Sequence, residues 1–181
     1  MSLRGNQRQT TPLTEDAAYN KLLKALARRW LTVHEAAVKV RAWGMAENAV
    51  QTILQRAKQS GYLNDHRFAA EYAAGKFRRG YGWLRIQQEL AAHGIARELI
   101  TETGNACRND DTAPEQAETL QHTAEKEWRK LTGVEPEARR RRWLGRMQRR
   151  GYPAAALTGL LRALERQEPM NVRRIQKGDG E

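Results

Sequence analysis

A run of arginines near the end of the chain is the residue pattern best suited to binding a partner. The segment PEARRRRWLGRMQRRG occupies residues 136–151 and contains one acidic residue, Glu137. On a helix, its broad basic side would consist of Arg139, Arg142, Arg146, Arg149 and Arg150. Guanidinium groups bind carboxylates and phosphates through paired hydrogen bonds. The run therefore predicts a surface for a polyanionic partner; the alternative is a basic face that pairs with acids elsewhere in the fold.

A second basic cluster lies in the middle of the chain. Its basic residues are Lys76, Arg78, Arg79 and Arg85, and they surround Tyr81 and Trp83. Basic residues interleaved with aromatics are typical of surfaces that bind phosphates and stack on bases. The alternative is that the aromatics pack in the core and the arginines solvate a helix end, where they complement its dipole. We interpret the two aromatics as core residues.

Catalytic and metal-binding patterns are absent from the sequence. The four histidines are scattered, and none forms a His-x-x-x-His pair, while Cys107 is the only cysteine. Gly80-Tyr81-Gly82 does not belong to a phosphate-binding G-x-x-x-x-G-K-[ST] motif. Asp65-His66 has no nucleophile motif beside it, and helix capping explains Asp65. We therefore expect no enzymatic activity, no metal and no cofactor.

Composition limits the class of protein. The chain has 181 residues, a formal net charge of +11 and 40% hydrophobic residues. This charge favours a polyanionic partner such as nucleic acid, a nucleoprotein or an acidic protein face. No apolar run approaches the length of a membrane span, and the N-terminus has no apolar signal segment. With a single cysteine, a cytoplasmic protein is the simplest expectation.

Helical patterns dominate the whole chain. Alanine, leucine, arginine, glutamate and glutamine prevail, and alternating strand patterns are nearly absent. Thr32 and Glu35 are spaced as a capping box, and Asn64 or Asp65 can cap another helix. The spacing also places tryptophans toward the presumed core, namely Trp30, Trp43, Trp128 and Trp143.

A helix–glycine–helix pattern recurs around Gly44, Gly94 and Gly151. Apolar residues lie at matching positions around each glycine, and the period of roughly fifty residues is typical of helical repeats. Each unit is too small to bury its own apolar face, so neighbours must stack. We therefore predict an all-α protein of three tandem three-helix repeats that form an elongated, curved array.

The repeat pattern also predicts the domain boundaries. The predicted segments are a flexible arm at 1–13, repeats at 14–63, 64–108 and 109–168, and a flexible tail at 169–181. Gly104 falls where the other repeats carry a leucine, so we expect the third helix of the second repeat to be short. The polar segment 105–111 is expected to be a linker and hinge.

The central segment resembles a known family. It contains GYL-ND-x-RFA-x-x-Y at 61–72, RRGYG at 78–82, R-I-x-x-E-L at 85–90 and the pair Gly94-Ile95. This succession closely resembles the bacterial RecX family, the regulators of the RecA recombinase. The three-repeat layout extends the resemblance to residues 15–166, although the outer repeats match only in pattern.

The resemblance implies that each three-helix repeat is helix-turn-helix-like. It also implies a non-enzymatic regulator that binds the helical groove of the RecA–single-stranded DNA filament. Such proteins inhibit filament growth, ATP hydrolysis, recombination and co-protease activity, and so modulate DNA repair and the SOS response. It also favours a partner-binding role for Arg78, Arg79 and Arg85. We expect a monomer whose basic face contacts the filament and also single-stranded or duplex DNA.

The alternative function is a helix-turn-helix regulator that acts on duplex DNA. A recognition helix would then present base-reading side chains at its start. The helices after Gly44, Gly94 and Gly151 begin Ala-Glu-Asn, Ala-Arg-Glu and Pro-Ala-Ala, which suits base reading poorly.

Overall fold

The computed structural model describes residues 13–109 and 113–167, and within these ranges the protein consists of helices joined by short turns. The helices are α1 Glu15–Leu26, α2 Val33–Ala42, α3 Glu47–Gln59, α4 Asp65–Arg78, α5 Trp83–Ala92, α6 Arg97–Asn109, α7 Ala113–Arg129, α8 Pro136–Arg149 and α9 Ala154–Gln167. The predicted all-α fold class is confirmed. In the described part of the chain, no helix is both long and apolar enough to cross a membrane. The predicted tail, and the predicted arm except for Leu13, lie outside the described residues.

Side-chain caps begin two helices at the predicted positions. The hydroxyl of Thr32 accepts a hydrogen bond from the backbone N–H of Glu35, whose carboxylate accepts one from the N–H of Thr32. This confirms the capping box at the start of α2. At α4, Asn64 Oδ1 accepts from the N–H of Arg67 at 2.9 Å, so Asn64 is the cap. Asp65 instead accepts from the N–H of Val33, also at 2.9 Å, which joins the start of α2 to the start of α4.

The three repeat glycines end α2, α5 and α8 in a left-handed conformation. Their φ angles are +82° at Gly44, +78° at Gly94 and +93° at Gly151. Residues with a Cβ rarely adopt this region, so glycine is the residue that closes a helix here at low cost. The recurring glycine read from the sequence therefore marks a real backbone feature.

By spatial proximity the protein divides into two compact units. The first contains the described residues up to Phe68 together with His93–Ile95, and the second contains Ala69–Ala92 and the described residues from Ala96 onward. The three repeats with their boundaries stay a prediction.

The first unit has its core between α1, α2 and α3. Its buried residues include Tyr19, Leu22, Val40, Val50 and Ile53. The segment His93–Ile95 packs on this unit at the start of α2, where the Thr32 hydroxyl donates to the carbonyl oxygen of His93 at 2.7 Å. His93 Nδ1 also lies 3.0 Å from Glu35 Oε1. The cap of α2 thereby holds this segment in place.

The second unit has a core of α7, α8 and α9 around Trp143. This side chain is fully buried, packs edge-on against Trp128 and donates its indole N–H to the carbonyl oxygen of Ala124 at 2.9 Å. The neighbouring buried residues include Met147 and Leu157. Trp128 and Trp143 are thus core residues as predicted.

Two sequence predictions are wrong. Trp30 is 47% exposed instead of packed in the core, because it follows the end of α1 in a turn. Helix α6 is not short: it has 13 residues and includes part of the expected linker, 105–109. Gly104 does not end this helix but makes room for Trp83, since a Cβ at Gly104 would lie 2.5 Å from Cζ2 of that ring.

Two turns of the second unit meet without space for a side chain. The N–H of Gly82 donates to the carbonyl oxygen of Arg150 at 2.7 Å, and the N–H of Leu84 donates to that of Gly151 at 3.2 Å. A Cβ at Gly82 would lie 2.3 Å from the carbonyl oxygen of Gly151. The turn between α4 and α5 is therefore joined directly to the turn between α8 and α9.

Gly82→Ala should destabilise the protein by about 1–3 kcal/mol, because the added methyl group forces the two turns apart. Urea unfolding followed by circular dichroism measures this change. The matched control is Gly159→Ala in α9, where nothing lies within 4 Å of the added Cβ. This control should raise stability by roughly 0.5–1 kcal/mol. Equal stabilities for the two variants would show that the turns do not need their close approach.

Candidate partner-binding surface

Helix α8 buries one arginine of the predicted basic side. Arg139, Trp143 and Met147 are spaced four residues apart and form the buried stripe of the helix. Arg139 is 7% exposed, its guanidinium carbon lies 4.0 Å from the Trp128 ring centroid, and its Nη2 donates to the Trp128 carbonyl oxygen at 3.2 Å. Arginine can bury its long stem and stack on an aromatic ring. The prediction that Arg139 lies on the binding face is therefore wrong.

The buried carboxylate of Glu127 binds two further predicted arginines. It accepts from Lys130 at 2.8 Å, from Arg150 at 3.1 Å and from Arg146 at 3.4 Å. Burial raises the pKa of Glu127, but the hydrogen bonds from Lys130 and Arg150 outweigh it, and the net shift is downward. Arg150 also donates to the carbonyl oxygen of Gly80 at 3.3 Å. Arg146 and Arg150 thus have partners within the fold, as the alternative interpretation expected.

The remaining arginines of α8 face solvent. Arg140 pairs with Glu165 of α9 at 2.8 Å. Arg141, Arg142 and Arg149 are exposed, and within residues 13–109 and 113–167 the structure gives their side chains no ion pair. Arg142 and Arg149 lie seven residues apart and so share one side of the helix.

The middle cluster is organised by Glu89. Its carboxylate accepts from Arg85 Nε and from the Tyr72 hydroxyl, each at 2.8 Å, and forms an ion pair with Lys76. Burial raises the pKa of Glu89, but the hydrogen bonds from Lys76, Arg85 and Tyr72 lower it to about 2. Arg85 also donates to the carbonyl oxygen of Arg149 at 3.4 Å. Arg85 is therefore held within the fold, although its side chain stays partly exposed.

The two aromatics of this cluster are half-buried in the second unit, whereas the sequence had placed them in the core. Lys76, Arg85 and Arg150 surround the half-buried ring of Tyr81 at 5.0, 5.6 and 5.5 Å from its centroid. Trp83 stacks on Phe77 with ring centroids 6.5 Å apart.

Arg78 and Arg79 open onto a groove beside α7. The groove has a volume of about 590 Å³, and its lining residues are Arg78, Arg79, Gly80, Glu118, Thr119, His122, Thr123, Lys126 and Arg150. Arg78 and Arg79 are exposed and have no ion pair among the described residues. Sequence reasoning missed His122 and Lys126. Their four-residue spacing indicates that they share a face of α7, but not that this face meets the end of α4.

Four of the eight predicted arginines are thus exposed and lack an ion pair within the described ranges. We call Arg78, Arg79, Arg142 and Arg149 the exposed arginine set. Guanidiniums of this kind can bind carboxylates or phosphates in bidentate fashion. In the described residues, no group of three or more His, Cys, Asp or Glu side chains is placed to hold a metal ion.

The fold and this surface define a class of protein: one that is all-helical in its described residues and carries a basic candidate site. The family model described as "RecX, second three-helix domain" matches residues 64–103. The chain is similar to the regulatory protein RecX of Pasteurella multocida (strain Pm70), with 36% identity over 99 residues, 54% of this chain and 57% of that protein. It is also 36% identical to the regulatory protein RecX of Legionella pneumophila (strain Corby) over 83 residues, 46% of this chain and 55% of that protein.

Solved structures show the same fold. A crystal structure of RecX from Lactobacillus salivarius aligns with a TM-score of 0.71 and 18% identity over 83% of this chain and 96% of that one. A second crystal structure of regulatory protein RecX aligns with a TM-score of 0.68 and 21% identity, over 84% of this chain and 72% of that one. The chain spans about half the length of the curated relatives it matches. The resemblance to the RecX family is confirmed.

Glu89→Gln should make the protein less stable at neutral pH and reduce the dependence of its free energy of unfolding on pH in the acid range. The folded pKa of about 2 is below the unfolded value, so the carboxylate stabilises the fold above about pH 4.5 and this contribution is lost as the pH falls toward 2. Urea unfolding at several pH values measures the effect. The exposed Glu118→Gln serves as the control, and it should follow the wild-type pH profile. An unchanged profile for Glu89→Gln would contradict the role of this carboxylate.

Proposed function

We propose that this protein is a non-enzymatic, cytoplasmic regulator of the RecA recombinase. It binds the RecA–single-stranded DNA filament in its helical groove and inhibits filament growth, ATP hydrolysis, recombination and co-protease activity. In this way it modulates DNA repair and the SOS response. The observation that carries the proposal is the match of residues 64–103 to the second three-helix domain of RecX, a segment that includes Arg78 and Arg79.

Positive charge supports this function. A nucleoprotein filament presents phosphates and acidic side chains, and the chain carries a net charge of +11. The exposed arginine set forms no ion pair within the described residues and is available to such a partner, whereas Glu127 holds Arg146 and Arg150, and Glu89 holds Arg85. Occupying the groove would compete with filament extension, so inhibition requires binding and no chemical step.

The test measures ATP hydrolysis by the recombinase on single-stranded DNA as this protein is titrated. Two double variants probe the surface, Arg78→Glu with Arg79→Glu, and Arg142→Glu with Arg149→Glu. Each should raise the concentration for half-maximal inhibition by roughly tenfold or more and reduce the salt dependence, because charge-assisted contacts are lost. The control, Lys24→Glu with Lys58→Glu, changes the net charge equally at two exposed positions of the first unit and should inhibit like the wild type.

The outcomes separate this function from its alternatives. No inhibition by excess wild-type protein would refute the proposed function. Normal inhibition by both arginine variants would leave the regulator intact and rule out the exposed arginine set as its binding surface. Tight, sequence-selective binding of duplex DNA without the recombinase would favour the helix-turn-helix regulator instead.

A further inference from the structure

A pocket in the first unit lies outside the surface described above. It has a volume of about 300 Å³, is partly open to solvent, and lies between the end of α1 and the turn that joins α3 to α4. Its lining residues are Leu23, Leu26, Ala27, Trp30, Leu31, Gly61, Tyr62, Asn64, Arg67 and Phe68. The exposed arginine set contributes none of them.

Two large aromatic side chains at the rim are unusually accessible. Trp30 is 47% exposed and Tyr62 is 56% exposed, although both line the pocket. Core packing accounts for Trp128 and Trp143, which are buried, but it does not account for these two. A ligand in the pocket would therefore contact aromatic surface that the fold itself leaves in water.

The rim also carries positive charge. The guanidinium carbon of Arg67 lies 4.8 Å from the centroid of the Trp30 ring, and in the described ranges Arg67 has no ion pair. Two acids of the first unit are already engaged. Glu35 binds Arg29 at 2.9 Å and His93 at 3.0 Å, and Asp65 accepts from the N–H of Val33. The charge of Arg67 is thus available to an anion.

Accessible aromatic faces beside an arginine match the chemistry of a single-stranded nucleic acid. Bases stack on such faces with little dependence on sequence, and the adjacent cation binds the phosphate backbone. A base that stacks on the exposed aromatics keeps its polar edges in water, so the apolar lining residues Leu23 and Leu26 do not penalise it. An acidic peptide with an apolar anchor would need a deep, closed pocket to bury that anchor, whereas this pocket is partly open.

We propose that this pocket is a stacking site for a base of single-stranded nucleic acid. One base packs against Trp30 or Tyr62, and Arg67 binds an adjacent phosphate. The site does not depend on the proposed function, because it uses a different unit of the protein and binding to an oligonucleotide requires no recombinase.

The test compares two labelled oligonucleotides by fluorescence anisotropy. One is an oligothymidylate of about twelve nucleotides, and the other has the same length and charge but abasic sites in place of the bases. The wild type should bind the oligothymidylate several-fold more tightly. Trp30→Ala should weaken that binding roughly tenfold and leave the abasic binding unchanged, and Tyr62→Ala should act in the same direction. Arg67→Gln should weaken the binding of both oligonucleotides, because the phosphates are common to them.

Leu84→Ala is the matched control, because Leu84 is a similarly exposed apolar residue in the second unit. It should bind both oligonucleotides like the wild type. Thermal unfolding is used to check that Trp30→Ala is folded. If it is not, Tyr62→Ala tests the contribution of the aromatic side chains instead. Equal binding of the two oligonucleotides by the wild type, or undiminished base-dependent binding by both aromatic variants, would overturn the proposal. If the aromatic variants bind both oligonucleotides normally but lose affinity for the recombinase filament, the pocket is a protein-docking site and the stacking proposal is wrong.

Discussion

The buried carboxylate of Glu127 is the constraint on which the arrangement of charge in the second unit depends. A carboxylate removed from water requires cationic partners, and here α8 and its C-terminal end supply two of them, Arg146 and Arg150. Arg150 also donates to the carbonyl oxygen of Gly80, and its own carbonyl oxygen accepts from the N–H of Gly82. One acid therefore ties α7, α8 and the turn after α4 together, and the close approach of that turn is possible because Gly82 carries no side chain.

This constraint also decides which arginines are available for binding. The arginines of α8 have three environments. One is buried against Trp128, others form ion pairs with Glu127 or Glu165, and the rest are exposed to solvent without an ion pair in the described residues. Glu89 holds Arg85 in the same manner. A chain with a large positive charge thereby uses part of its arginine content to stabilise the fold, and the exposed arginine set forms the surface that we propose for the recombinase filament.

In the first unit, a helix cap makes the long-range contact. Its capping residue Thr32 both starts α2 and, by donating to the carbonyl oxygen of His93, holds a segment from much later in the chain. Its aromatic residues are not all used for packing, because Trp30 and Tyr62 stay accessible beside Arg67. The proposed base-stacking site and the exposed arginine set lie in different units, so the two binding activities can be altered separately.

The sequence by itself determined the helical class, the cap at Thr32 and the helix-ending glycines, because propensity, caps and positive φ angles depend on a few neighbouring residues. Only the tertiary structure decided which arginines reach solvent. The four-residue spacing of Arg139 and Trp143 indicates a shared face, but the burial of that face depends on Trp128 of another helix. Gly104 shows the same limit: its place in the pattern suggested a helix end, whereas the space it leaves is filled by Trp83 from α5. Contacts between residues distant in sequence cannot be read from local spacing.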